Sequence, residues 1–511
     1  MFLDSTVVNV ALQRIGQELP SSVFGVLEGQ SYVYNGYLLS LSALLILAGA
    51  LNDYYGRRRM FLFGLLGFGV TSALCGLAPT MELLILFRIL QGAAGAVLVP
   101  GSLSLLTATF SGVRQGRAFG LWAGASAATT ILGPVIGGIL VDGLSWRAAF
   151  FINLPLVAIA AWATWSHVEE SRNEMATGHF DWLGAVVVGL AVGGLSFGLI
   201  FGGARNWQDP LAYAALGVGV VALFAFPLLM SRRPDPLVPL ALFRSRNFTV
   251  TNISTFLIYG ALYVNFYFLS LFTQGTLGYT AAAAGLVGLL GSLLLAVFSP
   301  RFGALGARYG PRRFMTVGPL IMALGLAWLA RAPASSQPWL LRADQPGSFV
   351  PPGSYFIDFL PYVLLFGTGL TIMVAPLTTA LMTSVPVRNS GLASAINNAV
   401  SRVGPQLLGA LIFVAVTASF YGALGAALPG RDPAALRELV SPLNQPAAGV
   451  PSDVAKAAHG ASVDAFHLAM FVSAGLLLAG SIVNAAGIRD PRRDSAAAET
   501  PGIPAGGPAG A

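Results

Sequence analysis

Three groups of polar residues stand out against an otherwise oily sequence. Asp4 sits in FLDSTVVNVAL, Arg88 sits in LLILFRILQGAAGAVLVPG, and Asp53 precedes three arginines in GALNDYYGRRR. A carboxylate or guanidinium inside an apolar helix is costly, so such residues face a partner or a water-filled space. From Asp4 to the polar break at Gln13-Arg14 is about ten residues, roughly 15 Å of helix and half of a 30 Å hydrocarbon core. That places Asp4 near the midplane, where a carboxylate can bind and release a proton. If a proton and a substrate compete for one such site, exchange follows from linkage. The competing reading of Asp4 is an N-terminal cap on a helix that begins there. Arg88 lies two turns beyond Glu82, roughly 9 Å deep by helical rise, which fits a bundle interior better than snorkelling to the headgroups.

The remaining candidates are smaller signals. In GALNDYYGRRR, Gly49 and Gly56 permit close packing and a tight turn, while Arg57, Arg58 and Arg59 hold the loop on the cytoplasmic side. Asp53 can accept their hydrogen bonds or cap the next helix. LGPVIGG at 132–138 combines Gly133, Pro134, Gly137 and Gly138; small residues allow close helix contact and the proline predicts a kink, with ordinary packing as the alternative. Asn9, Tyr37, Gln91, Asn397, Asn398 and Arg402 put polar groups in apolar segments and are candidates for lining a pathway. Tyr37, Phe256, Tyr259, Tyr263 and Phe266 are equally readable as adaptable cavity walls or as packing.

These residues need helices that cross a bilayer to position them. Of 511 residues, 55% are hydrophobic and only 10% charged, against roughly a quarter charged in soluble chains. So little charge cannot keep a soluble surface wet. About fourteen apolar runs recur, each near the length of a membrane helix except the first, 2–16. The runs are continuous rather than alternating, which excludes a β-barrel. Arginines gather in alternate loops, so the positive-inside rule puts both termini in the cytoplasm, and a net charge of +7 needs no nucleic acid to explain it.

An internal repeat sets the architecture. GALGARYGPRR (303–313) matches GALNDYYGRRR (49–59) at seven of eleven positions, and RNSGLASAINNAVSRVGPQLLGAL (388–411) aligns with RAFGLWAGASAATTILGPVIGGIL (117–140). Spans 1–6 therefore repeat as 9–14, in parallel halves of the kind found in secondary transporters. The expected layout is a six-helix half at 1–167 with a truncated first helix, two inserted helices at 168–230 and a cytoplasmic interfacial linker at 231–248. A second six-helix half follows at 249–487, then a disordered cytoplasmic tail at 488–511.

With LDSTVVNVAL, RILQGAAGA and SWRAAFFINLP added in order, the chain resembles the major facilitator superfamily, in particular its 14-span drug:proton antiporters of the EmrB/QacA type. The resemblance implies an all-α polytopic membrane protein of the major facilitator fold in a bacterial plasma membrane. It implies alternating access and export of amphipathic, often cationic, drugs against protons. It makes Asp4 and Arg88 the proton-coupling pair, with Arg88 tuning the carboxylate. It makes Gly49, Asp53, Gly56, Arg57 and Arg58 a latch between the halves, and Gly133, Pro134, Gly137 and Gly138 the antiporter motif. Tyr54 departs from the usual arginine, and Ala307 replaces Asp53 in the second copy, so the latch is expected on one side only.

No nucleotide-binding loop, nucleophile triad or metal-ligand spacing occurs, so no cofactor, no metal and no enzymatic activity are expected. The expected partners are a small molecule, protons and lipid, with a monomeric protein and a cell-envelope adaptor left open. An exporter dedicated to one metabolite, lipid or antibiotic, and a non-transporting scaffold or sensor, are the alternatives. Because only the outer half of the first span precedes Gln13, a true start upstream of Met1 is also expected.

Overall fold

The computed structural model describes residues 2–22, 26–172, 180–204, 208–342, 345–446 and 449–490, and among these the regular structure is entirely helical. In chain order the helices are α1 Phe2–Glu18, α2 Val26–Tyr55, α3 Arg57–Gly76, α4 Met81–Thr109, α5 Gly112–Gly143, α6 Ala148–Phe151 and α7 Asn153–His167. Then come α8 Trp182–Ala204, α9 Pro210–Arg232, α10 Arg246–Leu271, α11 Ala281–Val287 and α12 Leu289–Tyr309. The chain closes with α13 Pro311–Leu329, α14 Gly353–Asp358, α15 Leu360–Thr383, α16 Ser390–Ala427, α17 Pro433–Leu439 and α18 Ser452–Gly487.

Local chemistry explains the boundaries. Thr80 caps α4 by accepting from the Leu83 amide, Asp209 caps α9 just before Pro210, and Ser245 caps α10. Gly56 and Gly310 precede α3 and α13 with φ of 109° and 89°, a backbone that side-chain-bearing residues avoid.

Eleven helices among the described residues are long and apolar enough to cross a membrane, fewer than the fourteen runs read from the sequence. In α1 the apolar stretch is only Leu3–Leu12, and α13 opens on the paired Arg312 and Arg313, which dilutes its hydropathy.

The repeat in the sequence reappears as a repeat in packing. The contacts of α1 with α5, α2 with α4, α3 with α4 and α3 with α7 recur as α10 with α16, α12 with α15, α13 with α15 and α13 with α18. Two cross-contacts tie the sets together: α2 packs on α16, and α12 packs on α5. Helices α8 and α9 pack chiefly on each other, with α8 lying against α2 and α16.

Leu237, Val238, Leu242 and Phe248 are buried, and the Leu237 amide donates to Asp181 at 3.2 Å. Between the apolar parts of the last two long helices the chain is also partly helical, because α16 runs on to Ala427 and α18 begins at Ser452. Its Ala-rich start, SDVAKAAHG, favours helix without needing to be apolar. Leu436, Val440 and Leu443 of the intervening segment are buried. Of the expected tail, residues 491–511 lie outside the described residues.

Candidate functional site

Asp4 and Arg88, separated by most of four helices in sequence, meet in a buried ion pair. Arg88 Nη1 donates to Asp4 Oδ2 at 2.8 Å, and neither side chain has any solvent exposure. Gln91, one turn along α4, donates from Nε2 to Asp4 Oδ1 at 3.2 Å and accepts from Arg88 Nη1 at 2.8 Å. Asn153, the first residue of α7, donates to Asp4 Oδ1 at 2.9 Å and to Ser72 Oγ on α3 at 3.0 Å. Arg88 Nε reaches the Val33 carbonyl at 3.3 Å, and the guanidinium lies 4.1 Å from the centroid of the Tyr37 ring. Cys75 adds a weak thiol contact to Gln91.

A buried pair is tolerated only when geometry and extra hydrogen bonds offset desolvation. Here both carboxylate oxygens are engaged, and the one orphan nitrogen of Arg88, Nη2, belongs to a guanidinium stacked on an aromatic face. Five helices thus supply one polar knot: α1, α2, α3, α4 and α7. Residue type and spacing point to Asp4, Arg88, Gln91 and Tyr37 as parts of the site but not to Asn153 and Ser72. Asn153 is visible as an amide at the head of an apolar run; nothing local marks Ser72.

The glycines of the fifth span press on the helix that carries Asp4. A Cβ placed on Gly133 would stand 1.8 Å from Thr6 Oγ1, and one on Gly137 would meet Val7 Cα at 3.2 Å. Gly138 faces open space, so it takes no part in that contact. Pro134 lies on α5, and its side chain is outside the described residues.

At the other end of α2 the loop motif joins α16. Asp53 accepts from the Gly391 amide at 3.1 Å and the Leu392 amide at 2.9 Å, two of the free N–H groups at the start of α16. Arg57 donates to Asp53 at 3.0 Å and to the Val387 carbonyl at 2.5 Å, and both Asp53 and Arg57 are buried. Gly49 makes the approach possible: a Cβ there would lie 2.6 Å from the Gly391 carbonyl oxygen.

The rest of the motif forms a clasp with α7 that the sequence does not announce. Glu170 accepts from the amides of Arg58 and Arg59 at 3.1 and 3.0 Å, capping α3 directly behind Gly56. Arg58 Nη2 donates to the Trp165 carbonyl at 2.6 Å. In the second copy Asp490 accepts from the Arg312 amide at 3.0 Å, and Arg312 Nε donates to the Ala485 carbonyl of α18 at 2.9 Å. The clasp is thus duplicated, although the latch is not: Ala307 and Pro311 replace Asp53 and Arg57.

The other polar candidates are dispersed. Asn397 is buried and donates to Asn252 Oδ1 at 3.2 Å and Thr255 Oγ1 at 2.9 Å on α10. Asn398 donates to the Ser394 carbonyl one turn back. Asn9 is exposed on α1, and Arg402 is half-buried within electrostatic reach of Tyr34 and Tyr37 on α2.

Comparison with known proteins fits this geometry. The chain is 34% identical over 405 residues to the tetracenomycin C resistance and export protein of Streptomyces glaucescens, covering 79% of this chain and 71% of that one. It is 32% identical over 435 residues to the multidrug resistance protein Stp of Mycobacterium tuberculosis, covering 84% and 76%. The fold resembles the crystal structure of the human organic anion transporter MFSD10, with a TM-score of 0.56 at 13% identity over 94% of this chain and 97% of that one. The Major Facilitator Superfamily profile matches residues 1–410. With that match, the repeated helix packing and the buried pair in one bundle, the chain belongs to the Major Facilitator Superfamily, as a multi-pass membrane transporter rather than an enzyme.

Proposed function

We propose that this protein exports amphipathic small molecules across a bacterial plasma membrane in exchange for protons. The observation that carries the reading is the sealed Asp4–Arg88 pair, backed by relatives named for drug resistance and export. Asp4 is the proton carrier. Protonation cancels the charge that holds Arg88, and Arg88 is stacked on Tyr37 of α2. The same helix carries Asp53 into the latch on α16, roughly 24 Å further along its axis. Loss of the Asp4 charge therefore acts on α2 at one end, and the latch responds at the other.

In this reading α1, α5 and α13 also cross the membrane, which makes fourteen spans of the EmrB/QacA type with both termini in the cytoplasm. Two six-helix halves rock about a central space, and α8 and α9 are the insert. The close seams, α2 on α16 and α5 on α12, lie at the cytoplasmic ends of those helices, so the arrangement described corresponds to a closed cytoplasmic side. Within the Gly133, Pro134, Gly137 and Gly138 motif, it is Gly133 and Gly137 that set how α5 bears on α1.

The test uses purified protein in vesicles filled with a pH-sensitive dye. An antiporter driven by added drug must move protons out as drug moves in, so the lumen turns alkaline. Alkalinisation by at least one compound from a panel of cationic, neutral and anionic drugs, lost in Asp4→Asn, is the expected result. An absent response to the whole panel, or one that survives Asp4→Asn, would sink the proposal.

A further inference from the structure

Helix α16 carries a second guanidinium within the membrane span, and this one has no counter-ion among the described residues. Arg402 is half-buried and makes no hydrogen bond or ion pair with any of them. An uncompensated arginine at such depth is costly unless it faces water or takes an anion. One turn further along the same face, Gln406 Oε1 is buried and has no hydrogen-bond partner. Gln406 lines a cavity of about 620 Å³ between α8, α10 and α16, walled by Leu199, Tyr263, Tyr267, Ala410 and Phe413. That volume is the size of a site for a drug-like molecule. Among the described residues, no acidic side chain lines it.

Arg402 stands one helical turn from Gln406 in the wall of this cavity. A cationic ligand there would meet the charge of Arg402 and find no free carboxylate, because Asp4 is engaged by Arg88, Gln91 and Asn153.

We propose that Arg402, Gln406 and this cavity form a binding site for an amphiphilic anion. Its carboxylate pairs with Arg402, an O–H or N–H on its body donates to Gln406, and its apolar part fills the cavity between α8, α10 and α16. The inserted helix α8 then has a role of its own, as one wall of the site. The inference deepens the exporter reading by naming the class of molecule carried.

Equilibrium binding to the full chain in phosphatidylcholine nanodiscs tests it with three probes: dodecanoate, dodecylammonium and 5-hydroxydodecanoate. Gln406 is about 6 Å along the helix from Arg402, close to the span between a carboxylate and a hydroxyl on carbon 5. Dodecanoate is expected to bind roughly tenfold more tightly than dodecylammonium, and the hydroxylated acid a few-fold more tightly still. Arg402→Gln removes the preference for anions, Arg402→Lys retains most of it, and Gln406→Leu erases only the gain from the hydroxyl. Ala410→Trp fills the cavity and weakens all three probes, while thermal unfolding checks that each variant is folded. Dodecylammonium binding as tightly as dodecanoate, or unchanged anion preference in a folded Arg402→Gln, would overturn the site. So would no gain from the hydroxyl, or a phosphatidylcholine molecule in the cavity that dodecanoate cannot displace. Binding is read without transport, so the two proposals fail separately. Lost binding with drug-driven proton movement intact removes the site alone, and intact binding without proton movement removes the exporter reading alone.

Discussion

Asp53, at the end of α2, holds the amide of Gly391 at the start of α16 across a separation of 338 residues. The contact joins a negative charge to the positive end of a helix, and its two acceptor bonds are reinforced by Arg57. Asp53→Asn removes the charge and converts one acceptor to a donor facing amide N–H groups. Losing a charge-assisted bond of this kind shifts the open–closed balance by about 1.5–3 kcal/mol toward opening. A cysteine placed at the buried Ser394 reports it: a maleimide should label it at least ten times faster in the Asp53→Asn background. Equal rates would mean that the latch does not hold the two helices.

The buried pair predicts a different pattern. Asp4→Asn leaves Arg88 charged in a site with no exposure, a loss of about 3–5 kcal/mol for a broken buried pair. Arg88→Gln in the same protein removes the stranded charge and restores much of that loss. Thermal unfolding in detergent should therefore fall in the single variant and recover in the double, while neither exchanges protons. A single variant as stable as the wild type would show that Arg88 does not depend on Asp4.

Neighbouring glycines in the fifth span should behave in opposite ways. A methyl on Gly133 collides with Thr6, whereas a methyl on Gly138 meets nothing within 4 Å. Gly133→Ala is expected to cost about 1–3 kcal/mol and to lower export, and Gly138→Ala to leave both unchanged. Unfolding temperatures and drug accumulation, measured side by side, decide this.

The duplicated clasp gives a graded prediction. Glu170 caps two amides of α3, whereas Asp490, likewise exposed, caps one of α13. Glu170→Ala should cost about 1 kcal/mol and Asp490→Ala less, with thermal unfolding as the readout. The reverse order would show that the C-terminal copy carries more of the stability.

The boundaries of most helices, the repeat and the need of Asp4 and Arg88 for buried partners are legible in the order of the amino acids. Each rests on a strong rule: apolar runs need membrane length, and a charge in an apolar helix needs a partner. Asn153 and Ser72 are harder to see because an amide or hydroxyl in such a helix can also satisfy itself on its own backbone. Glu170 is hidden because a carboxylate in a polar stretch, HVEESRN, looks like a solvated loop until its partner amides come close in space. The tight fit of Gly133, beside the loose fit of Gly138, depends on which face of α5 meets α1, and spacing alone does not settle that.

The two seams between α2 and α16 and between α5 and α12 differ in what holds them. The first carries Asp53 and Arg57 beside its own close backbone contact at Gly49 and Gly391. The second is a bare backbone contact in which Gly116 faces Gly303 and Gly120 faces Pro300. Charge-based attachment responds to ionic strength and to protons, whereas interlocked backbone responds to lateral pressure and bilayer thickness. In the proposed exporter one side would then be closed by two seams of unlike chemistry, one with a charged clasp over its backbone contact and one without.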